Sequence, residues 1–201
     1  MSKRAETSYY QEIVDELKMQ MSSIFASKYP EKGLECFFKT NTGDDRNKAT
    51  DFKKGLQDLI DEYPIQCECM IDYVSDVPPL LLDIFFVVTN GKEYQIGIIE
   101  VKAVRSVGLK ECSQLIGYCI ASKVELGILL NVDGDVSEPL YNLTPYDSYL
   151  TNIHHVMGDK DLFHKIGIMR WDSEVTKFKY CQRGNIRTIE ELCDLIAKHF
   201  D

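Results

Sequence analysis

Two apolar runs flank an Asn-Gly pair in this chain, "LLLDIFFVV" at 80–88 and "YQIGIIEV" at 94–101. Runs rich in β-branched and aromatic residues read as strands. Asn-Gly between them reads as a tight hairpin, because a type I′ turn needs positive φ at both central residues. This hairpin is the strand pair around which the rest of the chain must be arranged. It also carries an anomaly: Asp83, Glu100 and Lys102 lie inside runs where a sheet favours Val and Ile.

If Asn90 and Gly91 alone form the loop, Thr89 pairs with Lys92. Asp83 then lies opposite Ile98, and Glu100 lies opposite Leu81. Strand side chains alternate faces, so Asp83, Ile98, Glu100 and Lys102 share one face. Asp83 and Glu100 become diagonal neighbours with Cβ atoms roughly 7 Å apart or less, close enough to share a metal ion. A three-residue loop would instead turn Asp83 to the opposite face from Glu100.

The remaining pattern is a mixture of helices and strands. Tyr10, Ile13, Val14, Leu17, Met21, Ile24 and Phe25 make one stripe of a helix over 8–28, with Ser8 and Gln11 as a capping box. "LECFFKT" (34–40) reads as a strand. Residues 50–62 read as a helix with Phe52, Leu56, Leu59 and Ile60 inward, stopped by Pro64. "IQCECMIDYV" (65–74) reads as a strand that would put Cys67 and Cys69 on one face. "GLKECSQLIGYCIAS" (108–122) reads as a helix, "ELGILLNV" (125–132) as a buried strand, and 147–157 as a helix. "KIGIMRW" and "KFKYCQ" form a further strand pair, and Thr188 with Glu191 caps a last helix ending near His199. The order predicts an α/β (α+β) fold with a central mixed sheet flanked by helices. At 201 residues one domain, 1–201, is expected, with a core over about 65–132 and a strand–strand–helix extension over about 165–200.

No apolar run reaches the 18 or more residues of a membrane helix. No apolar block follows the basic residues at the start, so no secretory signal is read and an intracellular, cytoplasmic protein is expected. The net charge of −9 and pI of about 5.0 argue against a surface coated for nonspecific nucleic-acid binding. Local basic groups remain: Lys102, Arg105 and Lys110, and separately Arg46, Lys48, Lys53 and Lys54. The seven cysteines include no Cys-x-x-Cys pair and read as small buried hydrophobes rather than a disulfide framework or metal cluster. Cys112 and Cys119 fall on one helix face. His154 and His155 are adjacent, so on a helix they would not face one another as metal ligands.

An Asp in one strand, a turn, then Glu-x-Lys in the next resembles the core of the PD-(D/E)XK nuclease superfamily. The motif residues here are Asp83, Glu100, Val101 and Lys102. Gln114 and Tyr118 in "QLIGY" resemble the Gln-x-x-x-Tyr element of its RecB-like branch, to which archaeal Holliday-junction resolvases are similar. The strand at 125–132 falls where that fold has its fourth core strand. The likeness covers residues 80–132. It departs at the motif proline, since Pro78 and Pro79 precede Asp83 by five and four residues.

The resemblance implies a restriction-endonuclease-like fold and a Mg²⁺- or Mn²⁺-dependent deoxyribonuclease. Asp83, Glu100 and the Val101 carbonyl would hold the metal, and Lys102 would orient the attacking water. Gln114 and Tyr118 would position the lysine or the substrate backbone. On the helical wheel those two lie away from the buried stripe, which equally suits a surface Tyr covering apolar neighbours. Relatives often add a Glu from the first helix. Glu6 continues the buried stripe and is the first candidate, with Glu12 or Glu16 in its place if Ser8 caps the helix. DNA is the expected partner, and junction-cutting relatives give the expectation of a homodimer. Three other readings compete: a catalytically inactive nucleic-acid- or protein-binding module of the same fold, an edge hairpin with inward charges or a partly buried ion pair, and a cysteine-based metal or redox protein.

Overall fold

The computed structural model describes residues 6–40, 50–145, 148–157 and 160–201. A 3-10 turn, Glu6–Tyr9, leads into α1 (Tyr10–Lys28), followed by β1 (Glu35–Thr40), β2 (Thr50–Asp51) and α2 (Phe52–Glu62). Next come α3 (Pro64–Cys67), α4 (Ile71–Asp76), β3 (Leu81–Leu82), β4 (Ile84–Thr89), β5 (Tyr94–Lys102), β6 (Ser106–Val107) and α5 (Leu109–Ser122). The chain continues through β7 (Leu126–Val132), β8 (Asp135–Val136), α6 (Glu138–Leu143), β9 (Asn152–Met157), β10 (Lys160–Asp172), β11 (Lys177–Gly184) and α7 (Ile189–His199).

The main sheet has the order β1-β4-β5-β7-β10-β11, with β9 alongside β10. β1, β4 and β5 pair antiparallel, β5, β7 and β10 parallel, and β10 with β11 antiparallel. Helices α1 and α7 cover one face, where Ile13, Leu17, Phe25, Ile99, Val101, Trp171 and Ile196 form a buried core. Helices α2 to α5 cover the other, where Phe52, Leu59, Met70, Phe85, Ile98, Leu115 and Leu129 form a second. Covering both faces explains why β4 and β7 are apolar without alternation: every residue of each is buried. The expected α/β architecture with a mixed central sheet is therefore observed, and β10 and β11 continue the same sheet as β5 and β7.

Asp51, Ser137 and Thr188 accept hydrogen bonds from Lys54, Leu140 and Glu191 N–H and so cap α2, α6 and α7. The cap expected at Ser8 is replaced: Ser8 lies in the 3-10 turn, and the residue before α1 is Tyr9, with no side-chain cap bond.

Residues 65–74, expected as a strand, are helical: α3, a 3-10 turn at Glu68–Met70, and α4. Cys67, Met70 and Val74 are the buried positions, at helical spacing, while Cys69 is half-buried. Pro64 ends α2 and also starts α3, at the first helical position where its missing N–H costs nothing. The helix expected over 147–157 is instead strand β9 from Asn152. Its inward Ile153 and His155 alternate with exposed His154 and Val156, a period of two.

The hairpin loop has four residues, since Thr89 pairs with Tyr94. The Asn90 side-chain oxygen accepts from Lys92 and Glu93 N–H at 3.0 and 2.9 Å, and only Gly91 has positive φ, 83°. The type I′ turn is thus replaced by an Asn-centred one. Lengthening the loop by two shifts the register by two and preserves parity. Ile84 faces Ile99, which brings Asp83 level with Glu100 rather than Ile98, on the face expected.

Gly97 sits opposite Phe86, whose ring lies across the glycine: a Cβ there would meet Phe86 Cζ at 2.1 Å. Gly97→Ala is expected to cost about 1–3 kcal/mol by forcing this buried ring aside. Urea unfolding measures it, and adding Phe86→Leu should recover part of the loss.

Candidate active site

The carboxylates and the lysine meet where β4 and β5 end beside the start of α1. Asp83 occupies the bend between β3 and β4. Its Oδ2 accepts from the Val101 N–H at 2.9 Å, in the role a strand carbonyl would otherwise fill, and its Oδ1 accepts from the Tyr10 hydroxyl at 2.7 Å. Thr40 Oγ1 donates to the Asp83 carbonyl at 3.2 Å, fixing the bend against β1. Glu100, only 2% exposed, is hydrogen-bonded to the Lys102 ammonium. Lys102 Nζ also lies 3.8 Å from Asp83 Oδ2 and 4.0 Å from Glu6 Oε1. Glu6 Oε2 accepts from the Ala103 N–H at 3.2 Å, which ties the chain's first turn to the end of β5.

Glu6 is therefore the residue of the first helical segment that joins the cluster, whereas Glu16 accepts from Gln20 along its own helix. Sequence reasoning missed Tyr10 and Asn131. Tyr10 was legible only as part of the apolar stripe, although its hydroxyl is the polar handle that reaches Asp83. Asn131 interrupts the apolar β7 in register with Lys102 and is fully buried. Its Oδ1 accepts from Val104 N–H at 3.3 Å and its Nδ2 donates to the Asp135 carbonyl at 2.8 Å, so it pins the chain just beyond Lys102.

Gln114 Nε2 donates to the Tyr118 hydroxyl at 2.9 Å. Gln114 is exposed and Tyr118 half-buried against the α5 side of the core. Their pairing agrees with the helical spacing, and among the described residues neither is hydrogen-bonded to the acidic cluster. Val101 contributes its N–H to Asp83 and its side chain to the core under α1. Arg105 and Lys110 are exposed, Lys53 donates to the Ser75 carbonyl, and Arg46 and Lys48 lie outside the described residues. His154 pairs with Asp161 on β10, while His155 stacks on His164.

Among the described residues three carboxylates face one ammonium. Burial, then the charge of Asp83, pushes the Glu100 carboxyl up to about 7 against the pull of Lys102. Burial likewise raises Glu6, with Asp83 adding to it and Lys102 opposing it. For Lys102 burial acts downward, but the Glu100 hydrogen bond and the charges of Glu100, Asp83 and Glu6 together hold it above its ordinary value. Burial and the charge of Asp83 keep Tyr10 protonated as a donor. A carboxyl whose folded value is raised contributes stability that is complete below its unfolded pKa and lost as pH rises through the folded one. In EDTA the protein is therefore expected to lose on the order of 1–3 kcal/mol between pH 5 and 8. Melting temperatures of wild type and Glu100→Gln across that range test this, since the substitution should flatten the decline.

Among the described residues no three His, Cys, Asp or Glu side chains are preset at metal-ligand spacing. The carboxylate oxygens hold Lys102, Tyr10 and two main-chain N–H groups instead. The donor chemistry nevertheless suits a hard cation: oxygen only, with more negative charge among the described residues than Lys102 neutralises and a buried carboxyl, Glu100, whose pKa burial and Asp83 raise. No family model, no curated protein and no solved structure matches this chain.

Proposed function

We propose that the chain is a Mg²⁺- or Mn²⁺-dependent nuclease hydrolysing phosphodiester bonds in DNA. One observation carries the reading: Glu6, Asp83 and Glu100 converge on Lys102 at the C-terminal end of β5 in a mixed sheet. In α/β sheets ligands bind beyond the carboxyl ends of parallel strands, where β5 delivers Glu100 and Lys102.

Asp83 and Glu100 would hold the cation, with Glu6 beside them. When bound, it would acidify a water and offset phosphate charge. Tyr10 fixes the rotamer of Asp83, and the Val101 N–H holds its second oxygen. The Lys102 ammonium, freed from Glu100, would donate to the attacking water and to the phosphoryl oxygens as their charge grows. Arg105 and Lys110, exposed close after Lys102 in the chain, would contact backbone phosphates on either side of the scissile bond.

The test is cleavage of labelled circular and branched DNA by the purified protein with Mg²⁺, Mn²⁺ or EDTA. Cutting is expected with either metal and is expected to vanish in EDTA. Both oxygens of Asp83 already accept hydrogen bonds, which favours a second reading, a non-catalytic nucleic-acid- or protein-binding module. No cutting on any substrate, with no Mn²⁺ binding by calorimetry, would decide for that module.

A further inference from the structure

At the end of the sheet remote from Lys102, the middle strand is too short. Gly97, Leu126 and Lys165 stand side by side on β5, β7 and β10. From that row β5 runs back to Tyr94 and β10 to Lys160, but β7 starts at Leu126. The chain before β7 turns away into α5: Val124 N–H bonds the Cys119 carbonyl, and Lys123 takes φ 61°. The sheet therefore has a notch one strand wide, roughly 10 Å between flanking strands given the usual spacing of two strand intervals. It opens as a cavity of about 480 Å³ lined by Tyr73, Tyr94, Gln95, Lys123 and Leu162 among others.

Both walls are strand edges. The Lys165 N–H points to β7, bonding the Glu125 carbonyl at 2.6 Å, and the Ile166 N–H points the other way, to Thr151. Main-chain groups alternate along a strand, so Asp161 and Phe163 present theirs to the notch, while β9 takes the opposite edge. On the other wall, β5 has no strand partner on that side before Gly97 among the described residues. Gln95 is only 6% exposed, lines the cavity, and its carboxamide makes no hydrogen bond to another described residue. An amide without a partner among the described residues, at a cavity wall, is a donor–acceptor pair open to a ligand.

We propose that this notch receives an extended peptide segment of a partner protein, added as a strand in line with β7. Main-chain bonds to Asp161, Phe163 and β5 hold it, and Gln95 reads an amide of its backbone. The lining charges balance, Lys92 and Lys123 against Glu93 and Glu125, which suits an uncharged peptide better than a polyanion. Inserted side chains alternate between the Tyr73–Tyr94 side and the Gln95–His199 side. The peptide therefore alternates apolar and polar residues. The proposal stands apart from the phosphodiester reading and uses the opposite end of the sheet.

The test uses the full chain and two fluorescein-labelled hexapeptides, amidated at the C-terminus, that alternate Val and Ser in the two phases. Fluorescence anisotropy is expected to show saturable binding of one phase. A proline in mid-peptide, which removes a main-chain donor, and Gln95→Leu should each weaken it at least about tenfold. Hydrogen exchange supplies an independent readout. In the free protein the Asp161 and Phe163 amides are expected to exchange faster than those of Leu162 and His164, and to slow at least about tenfold in the saturated complex. Equal protection in the free protein would overturn the open edge. Binding indifferent to proline, binding of neither peptide, or binding of a mononucleotide alone would overturn the peptide as occupant.

Discussion

Lys102→Ala is expected to slow metal-dependent DNA cleavage by at least about 100- to 1000-fold, the usual loss when one preorganised donor to a developing oxyanion is removed. Among the described residues the same ammonium is the one cation paired with the three acids, so its removal has a second effect in the absence of metal. Asp83, Glu6 and Glu100 then repel one another uncompensated, and the melting temperature in EDTA should fall more at pH 8 than at pH 5. Added Mn²⁺ should recover more stability in Lys102→Ala than in wild type, because only the metal then offsets the acids. Asp83→Ala is expected to lose cleavage as completely but to lose the Mn²⁺ stabilisation too. These opposite responses separate a residue that acts on the substrate from one that holds the cation. Undiminished cutting by both variants would place the active site elsewhere and sink the nuclease reading.

The charged cluster was legible in the sequence because three of its members, Asp83, Glu100 and Lys102, interrupt apolar strands, where charged residues are uncommon. Parity did the rest: any even-length loop puts Asp83 and Glu100 on one face, so the four-residue turn changed the level of contact but not its side. Glu6 was legible as a carboxylate continuing a buried stripe. Tyr10 was not, because a Tyr in such a stripe has an apolar body that satisfies the pattern whatever its hydroxyl touches. Asn131 carried a signal that went unread, a single amide inside "GILLNV" level with Lys102.

The failures in the fold have two causes. Over a short segment the period of two and the period of 3.6 are separated by one or two residues. In "IQCECMIDYV" the apolar positions satisfied either, and Pro64 read as a stop for α2 concealed its second role as the start of α3. A helix was expected over 147–157, in a segment whose Asp, Asn, Pro and Tyr content obscures any period. The segment from Asn152 is held instead by pairing with β10, a partner later in the chain that local propensity cannot see. Long runs with both faces covered, β4, β5 and β7, were read correctly because a predominantly apolar run of six to nine residues bounded by turn signals fits a buried strand.

Gly134→Ala is expected to damage stability and cleavage together. Gly134 lies in the turn between β7 and β8, where a Cβ would stand 2.0 Å from the Val104 carbonyl oxygen and 2.2 Å from Asn131 Nδ2. The first of these is main chain, so it cannot swing away as a flexible side-chain end would. The second is the amide that bonds Asp135 while its oxygen holds Val104 N–H. One methyl group therefore presses on both ends of the clamp that sets the chain leaving Lys102. A loss of about 1–3 kcal/mol is expected from overpacking, measured by urea unfolding. Asn131→Ala removes the clamp without the clash. It should also lower stability, by about 1–3 kcal/mol for main-chain groups left without partners. If the clamp positions Lys102, both variants cut DNA more slowly than wild type under conditions where each is fully folded, and Gly97→Ala, similarly destabilised but remote from the clamp, does not. Cleavage that followed stability alone across the three would reduce Asn131 to a structural amide.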